Sequence, residues 1–225
     1  MREPMLKKGD TTLNESELRQ NNIYLFTKRG IDIIFSLVGI ILLFPIFLII
    51  ISFYLFGENK GPAFFKQKRV GKNGEIFYIY KFRSMIVDAE NVLKSNKTLY
   101  KKYIENNYKL HPEEDPRITK LGNFLRKTSL DELPQLFNVV KGEMSLVGPR
   151  PVVEEELKEY APHIDKFLSV KPGVTGYWQI CGRSDVNYPE RANLELHYVL
   201  NQTLLFDIEI IIKTLLLVIL RKGAY

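Results

Sequence analysis

The sequence predicts a mixed α/β protein, mostly helical with one short β-hairpin, in which a single domain is attached to an N-terminal membrane segment. Three observations predict this class. Residues 33–56 carry no charged side chain, which is typical of a membrane segment. Residues 64–82 form two β-rich runs around Asn73-Gly74, a strong hairpin signal. Apolar residues near the C-terminus recur at helical spacing.

The apolar segment 31–56 has the length and the flanks of a membrane element. A straight helix from Ile33 to Phe56 would cover about 36 Å, against a hydrocarbon core of about 30 Å. Pro45 in its middle is expected to kink or break the helix. Basic residues flank both ends, and basic flanks favour the cytoplasmic side. These features favour a re-entrant hairpin broken at Pro45, and a spanning helix with a tolerated proline kink is the alternative.

The chain therefore divides into three parts: a polar tail (1–22), the membrane segment (23–57) and one cytoplasmic domain (58–225). The β-hairpin opens the domain. Residues 84–108 are expected to form a helix with Ser84 as its N-cap.

The rest of the domain is expected to consist of short elements. Short helices are expected over 111–150, and two loops rich in glycine and proline at 142–151 and 170–183. A helix is expected over 187–202, entered through Pro189. The closing apolar helix either lies in the membrane interface or packs on the domain.

Composition excludes several kinds of site. The chain has a net charge of +6, three histidines and one cysteine, Cys181. A lone cysteine forms no internal disulfide and fits a reducing compartment, and no zinc-ligand spacing or phosphate-binding P-loop is present. The basic stretch from Lys60 to Arg83 suits phosphates or is a solvated face. Because no nucleic-acid-binding module accompanies it, nucleic acid is not an expected partner.

An adjacent acidic pair, Asp131-Glu132, lies in the stretch "KTSLDELPQLFN". Ser129 to Glu132 fits a helix capping box, which is a purely structural interpretation. Pro134 weakens it, because a proline at that position of a helix would clash with the carbonyl of Leu130. The segment is therefore not expected to be a plain helix start.

Cationic residues recur at the edges of the predicted loops. Arg150 lies between Pro149 and Pro151, which restrict the local backbone. A rigidly presented guanidinium suits bidentate phosphate contacts, although a structural salt bridge is the alternative for any one of these residues. The candidate phosphate-binding residues are Lys81, Arg83, Arg126, Arg150 and Arg183.

Several long stretches together resemble one protein family. They are "GPAFFKQKRVGKNGEIFYIYKFRSM", "DPRITKLGNFLRKTSLDELPQLFNVVKGEMSLVGPRP", "KPGVTGYWQICGR" and "FDIEIIIKTLLLVILRKGAY". In this order they resemble the bacterial sugar transferases, the polyprenyl-phosphate hexose-1-phosphate transferases. The resemblance runs from about Lys28 to the C-terminus. It implies transfer of a sugar-1-phosphate from a UDP-sugar to undecaprenyl phosphate at the cytoplasmic membrane face, at the start of glycan assembly.

The resemblance also implies roles for single residues. Asp131 matches the family's nucleophile and Glu132 the residue that helps to hold Mg²⁺, while Arg126 and Arg150 match arginines near the phosphates. The negative charge of a pyrophosphate repels an anionic nucleophile, and a metal ion offsets that charge. A nucleophilic carboxylate beside a metal ligand therefore suits attack on a pyrophosphate. The family's membrane helix breaks at a Ser-Pro pair, where this chain has Phe44-Pro45.

Other interpretations of the sequence stay open. A basic scaffold anchored in the membrane would explain the apolar segment and the charge but not the acidic pair. The sugar is not specified, and the "WQICGR" loop and the "KGAY" end are closest to members that use UDP-galactose or UDP-glucose. Downstream glycosyltransferases are further partners that fit such a pathway.

Overall fold

The computed structural model describes residues 22–105, 110, 114–182 and 186–220. Residues 1–21 of the predicted tail and the candidate Arg183 lie outside the described residues. The helices in this part of the chain are α1 (Asn22–Ser52), α2 (Ala89–Ser95), α3 (Lys97–Glu105), α4 (Lys120–Lys127), α5 (Gln135–Lys141), α6 (Ile164–Leu168), α7 (Tyr177–Cys181), α8 (Glu190–Leu200) and α9 (Leu204–Ile219).

The predicted hairpin is present. Strand β1 (Phe64–Val70) pairs in antiparallel register with β2 (Ile76–Phe82). Asn73 and Gly74 at its turn adopt positive φ angles of 58° and 80°, the conformation that an Asn-Gly pair accepts at low cost. The hairpin therefore fixes the position of Lys81 near the end of β2.

The two loops predicted at 142–151 and 170–183 contain more structure than expected. Strand β3 (Ser145–Val147) pairs in parallel with β4 (Gly173–Thr175), and α7 follows β4. These strands are three residues long, too short for an alternating pattern to reveal them. Gly148 permits the contact between the two loops, because a Cβ there would lie 2.5 Å from the Lys171 carbonyl oxygen.

The single helix expected over 84–108 is two helices, α2 and α3. Ser84 caps neither of them. Asp88, in the left-handed conformation, precedes α2, and Asn96 separates α2 from α3. The Ser84 hydroxyl instead accepts a hydrogen bond from Arg126 (2.8 Å).

Helix α1 contains Pro45 and runs through it as one element. The prediction that the segment breaks there into two helices is therefore not confirmed, and the helix continues to Ser52 before a 3-10 turn at Phe53–Leu55. By length and composition, Asn22–Leu55 is the one candidate membrane span in the described part of the chain. Most of its large apolar side chains are exposed.

One face of α1 is part of the core of the domain. Phe47, Ile50 and Tyr54 are buried together with Phe82 of β2 and Leu125 of α4. Near the start of the helix, Tyr24 and Lys28 contact Asp207 of α9. Helix α1 and the domain therefore share one core across the predicted boundary at residue 57.

Helix α9 packs on the domain, which is one of the two options that the sequence left open, and its place in a membrane interface stays a prediction. Ile210 is fully buried and Ile211 packs beside it. The opposite face exposes a stripe of apolar side chains, namely Leu205, Ile208, Ile212, Leu215, Leu216 and Leu220. The helix therefore packs on the domain and also presents an apolar surface outward.

Candidate functional site

The acidic pair lies on a 3-10 turn, Leu130–Glu132, between α4 and α5. Ser129 adopts a left-handed conformation (φ 57°) and its side chain makes no capping hydrogen bond, so the capping box does not form. Pro134 is the N-cap of α5, where its missing N–H costs nothing. The expectation that this stretch is not a plain helix start is confirmed.

Apolar neighbours hold this turn in place. Leu130 and Leu133 flank the acidic pair and pack against the cluster that contains Phe47. These leucines therefore anchor the acidic turn against α1. Asp131 is 9% exposed, whereas the side chain of Glu132 is 30% exposed.

Different charges surround the two carboxylates. Lys81 Nζ lies 2.7 Å from Glu132 Oε1. Burial disfavours the charged form of Glu132 most, but Lys81, Arg150 and a hydrogen bond from Gln135 together lower its pKa. Burial, with repulsion from Glu132, raises the pKa of Asp131 to about 6, against the opposing pull of Lys81 and Arg126. Both groups are therefore mainly ionised at neutral pH, and Asp131 is the more basic.

Arg126 approaches the pair from the last turn of α4. Its Nε donates to the Ser84 hydroxyl (2.8 Å), which leaves the rest of the guanidinium to interact with Asp131. Helix α4 reaches this position because Gly122 contacts the chain at Ser84, where a Cβ would lie 1.9 Å from the carbonyl oxygen. Arg126 therefore lies close enough for the charge of Asp131 to act on it, and its predicted contact with a substrate phosphate stays a prediction.

An open cleft of about 310 Å³ begins at Glu132 and Lys81. Arg150 and Gln179 line its other side. The Arg150 backbone N–H donates to Glu195 Oε1 (3.2 Å), and its guanidinium lies 5.7 Å from the Trp178 ring. The prolines around Arg150 and the buried Glu195 thus hold this arginine toward the carboxylates.

Four buried N–H donors around this cleft lack partners within the described part of the chain. They are Arg69 Nε, Arg150 Nε, Trp178 Nε1 and Arg191 Nη2. Leaving a buried donor unsatisfied costs about 1–3 kcal/mol. Four of them in one neighbourhood indicate a ligand that supplies acceptor oxygens, with the anionic character that three guanidiniums favour.

Sequence reasoning missed most of this donor cluster. Arg69 was part of the basic stretch but was not assigned to the site, and Trp178 and Arg191 were not singled out. Arg191 lies over the Trp178 ring at 4.4 Å, although the two residues belong to different helices. Only the packing of α7 against α8 brings them together, and their spacing in the sequence does not predict this contact.

Two other predicted phosphate-binding residues, Arg83 and Arg183, are not placed in the cleft. Arg83 donates to the backbone carbonyls of Pro62 (2.8 Å), Met85 (2.7 Å) and Asn59. Its guanidinium is engaged in tying together the chain around the hairpin, so we do not carry it into the phosphate-binding set. Arg183 lies outside the described residues.

Glu195 is the buried carboxylate on which this side of the site depends. Replacing it with Ala should lower the free energy of unfolding by about 3–5 kcal/mol, because the buried Arg191 would lose its ion partner. Tyr160 would lose its acceptor as well. Chemical denaturation in detergent measures the change. Glu190→Ala, exposed on the same helix, should stay within about 0.5 kcal/mol, and equal losses for both variants would contradict the assignment.

The acidic turn is also the candidate metal site. Mg²⁺ prefers one or two carboxylates together with phosphate oxygens of a substrate. The adjacent carboxylates Asp131 and Glu132 at the edge of a cationic cleft match that donor set. No group of three or more His, Cys, Asp or Glu side chains that could hold a metal occurs among the described residues.

Comparison with known proteins gives a consistent family. A family model described as bacterial sugar transferase matches residues 23–221. The chain is 48% identical over 203 residues to an undecaprenyl-phosphate galactose phosphotransferase of Salmonella typhimurium, which covers 89% of this chain and 42% of that protein. It is 43% identical over 203 residues to the exopolysaccharide production protein ExoY of Sinorhizobium fredii, with 88% of each chain covered.

A third relative has a different sugar in its name. The chain is 36% identical over 206 residues to the UDP-glucose:undecaprenyl-phosphate glucose-1-phosphate transferase of Escherichia coli, with 88% of this chain and 41% of that protein covered. The chain thus spans about two fifths of the Salmonella and Escherichia relatives and most of the Sinorhizobium relative.

Proposed function

The chain belongs to the bacterial sugar transferase family, and from this premise we propose that it transfers a hexose-1-phosphate from a UDP-sugar to undecaprenyl phosphate. One observation carries the proposal. Glu132 of the carboxylate pair lines a cleft whose other walls include Arg69 and Arg150, each with a buried N–H donor that has no partner among the described residues. Such a cleft suits a diphosphate group placed beside a nucleophile.

In the first step, a carboxylate oxygen of Asp131 attacks the phosphorus atom that carries the sugar. The bond from this phosphorus to the oxygen that bridges it to the uridine phosphate breaks, and that oxygen leaves with UMP. An acyl phosphate forms on Asp131. The buried position of Asp131 and its raised pKa support this role, since a more basic carboxylate is the better nucleophile.

In the second step, a phosphate oxygen of the lipid acceptor attacks the same phosphorus. The bond to Asp131 breaks and the carboxylate is regenerated with its charge. The product is a lipid diphosphate that bears the sugar. The carboxylate is a good leaving group from an acyl phosphate. This explains why a carboxylate can carry the sugar phosphate between the two substrates.

The surrounding cations divide the negative charge between them. Arg126 faces Asp131, whereas Arg150 and Arg69 line the opposite wall of the cleft. We place the diphosphate of the UDP-sugar between these two sides. Lys81 holds Glu132 in one orientation through its 2.7 Å ion pair, so the second carboxylate stays ionised beside the first.

Glu132 is the residue that we propose to hold Mg²⁺, with Asp131 and substrate oxygens nearby. The ion, when bound, offsets the negative charge of the diphosphate. Glu132 fits this role because its pKa is lowered and because part of its side chain faces the open cleft.

We propose that the domain lies at the cytoplasmic face of the membrane. The exposed apolar surfaces of α1 and α9 support contact with the membrane, and the basic flanks of α1 favour the cytoplasmic side. Both ends of α1 also contact the same domain. Arg29 donates to the carbonyls of Val139 and Val140 (2.7 and 3.0 Å), and Tyr54 near the other end donates to the Arg83 carbonyl. A helix of 31 residues covers about 46 Å when straight, so a simple perpendicular span would separate these contacts.

Single-cysteine labelling in intact cells tests this topology. In a Cys181→Ser background, probes at Asn22 and Asn73 should both be shielded from an impermeant reagent added outside. Labelling of only one of the two would show a spanning helix. Pro45→Ala should favour a straight spanning helix, since it restores the missing backbone donor.

The proposed activity itself is tested by UMP release. The purified protein is incubated with undecaprenyl phosphate, Mg²⁺ and each of several UDP-sugars. We expect release with UDP-galactose or UDP-glucose, the sugars in the names of the relatives, and a role in exopolysaccharide or capsule synthesis. A basic membrane scaffold would release no UMP with any of them.

A further inference from the structure

A second, open cavity lies between the first turns of α1, strand β3 and the segment that precedes β4. No residue lines both this cavity and the cleft at Glu132. Its lining contains four cationic side chains but a single carboxylate, together with apolar side chains; the charged residues are Lys28, Arg29, Lys72, Lys171 and Asp32.

The charges in this cavity are not balanced. Lys28 is paired with Asp207 (2.7 Å), and Asp32 accepts two hydrogen bonds from β3, one from a backbone N–H and one from a hydroxyl (2.9 and 3.1 Å). The ammonium groups of Lys72 and Lys171 have neither a hydrogen-bond nor an ion-pair partner among the described residues, although the charge of Asp32 attracts Lys171. The cavity therefore offers two uncommitted ammonium groups.

Arg29 and Lys171 converge on one point. A methyl group placed on Gly142 would lie 3.4 Å from Arg29 Nη2 and 3.6 Å from Lys171 Nζ. Burial and then repulsion from Arg29 lower the pKa of Lys171. An anion bound between these two groups would relieve the repulsion and supply the missing partner.

We propose that this cavity binds the phosphate group of an anionic membrane phospholipid. The cationic side chains of its lining suit the phosphate, and apolar residues such as Leu25, Val147 and Val170 suit the first carbons of the lipid. On the same turns of α1, Ile23 and Phe26 are 74% and 83% exposed, so lipid would adjoin the cavity. The proposal rests on the membrane placement proposed above but not on the transfer reaction.

The cavity is too far from the acidic pair to hold the reacting phosphate. Arg29 binds the carbonyls at the C-terminal end of α5, whereas Asp131 precedes the N-terminal end of the same helix. Seven helical residues extend about 10 Å. A lipid whose phosphate binds in this cavity therefore orients the domain on the membrane and is not the acceptor of the sugar phosphate.

Thermal unfolding in a non-ionic detergent tests the proposal without UDP-sugar. Dihexanoyl phosphatidylglycerol at saturation should raise the Tm of the unmodified protein by roughly 5 °C. The double variant Lys72→Gln/Lys171→Gln should lose most of this rise. Lys72→Arg/Lys171→Arg should keep it, because the charges remain. The matched control Lys97→Gln/Lys120→Gln, which removes two exposed lysines elsewhere, should also keep it.

Three results would overturn the proposal. A Tm rise that survives in the double Gln variant would place the lipid elsewhere. An equal rise with inorganic phosphate would show a site for free phosphate. A rise with undecaprenyl phosphate alone, absent with phosphatidylglycerol and lost in the double variant, would make this the acceptor site. UMP release is measured separately, so failure of the transfer reaction would not be mistaken for failure of this site.

Discussion

Asp131→Asn should reduce UMP release at least about a thousandfold, since an amide cannot replace a carboxylate nucleophile. The unmodified protein, given UDP-sugar without lipid acceptor, should gain the mass of a sugar phosphate on Asp131. The Asn variant should gain none. Intact-protein and peptide mass spectrometry measure both.

The same variant has a second expected result. Burial raises the pKa of Asp131 to about 6, which means that the fold holds this charge at a cost. The uncharged amide should therefore leave Tm unchanged or higher, so lost activity would not reflect lost folding. Asp165→Asn, exposed on α6, should keep full turnover. Near-normal turnover of Asp131→Asn would show that Asp131 is not the nucleophile.

Glu132→Gln should reduce turnover by roughly a hundredfold or more, as expected when a charged group that stabilises the transition state is removed. Excess chelator should abolish the activity of the unmodified protein, and added Mg²⁺ should restore it. The variant should not be restored, because it lacks the carboxylate that we propose to hold the ion.

The matched control for Glu132 is Glu155→Gln. Glu155 is an exposed carboxylate of the same type outside the cleft, and its loss should change neither turnover nor the Mg²⁺ concentration for half-maximal rate. Full activity of the unmodified protein in excess chelator would remove the metal from the mechanism.

Local signals in the sequence predicted those elements that local physics determines. Asn73-Gly74 announces its turn because few other residue pairs adopt those φ angles cheaply. The helix after Pro189 and the amphipathic α9 follow in the same way from fixed φ and from periodicity. The acidic pair was recognisable because Pro134 makes an ordinary helix start unfavourable there.

Contacts between distant segments could not be predicted from the sequence. Arg83 and Arg126 look alike in the sequence, as cations beside short loops. Arg83 is turned away by the carbonyls of Pro62 and Asn59, while Arg126 is turned toward Asp131 by one hydroxyl. Arg69, Trp178 and Arg191 carry donors that have no partner within the described part of the chain, and these donors meet only after a hairpin and two helices have packed. These donors matter because they lack acceptors among the described residues, and no sequence motif records that.

The shared core of α1 and the acidic turn has a consequence for how the two substrates meet. A domain on a flexible tether would sample many orientations above a bilayer, and its site would find the acceptor at an effective concentration set by the linker. Here Phe47 and Leu130 pack in one cluster, so the anchor and the reactive turn move as a unit. On the proposed membrane placement, the lipid acceptor reaches the site by lateral diffusion in two dimensions, at a fixed height. Only the water-soluble sugar donor reaches it by diffusion in three dimensions.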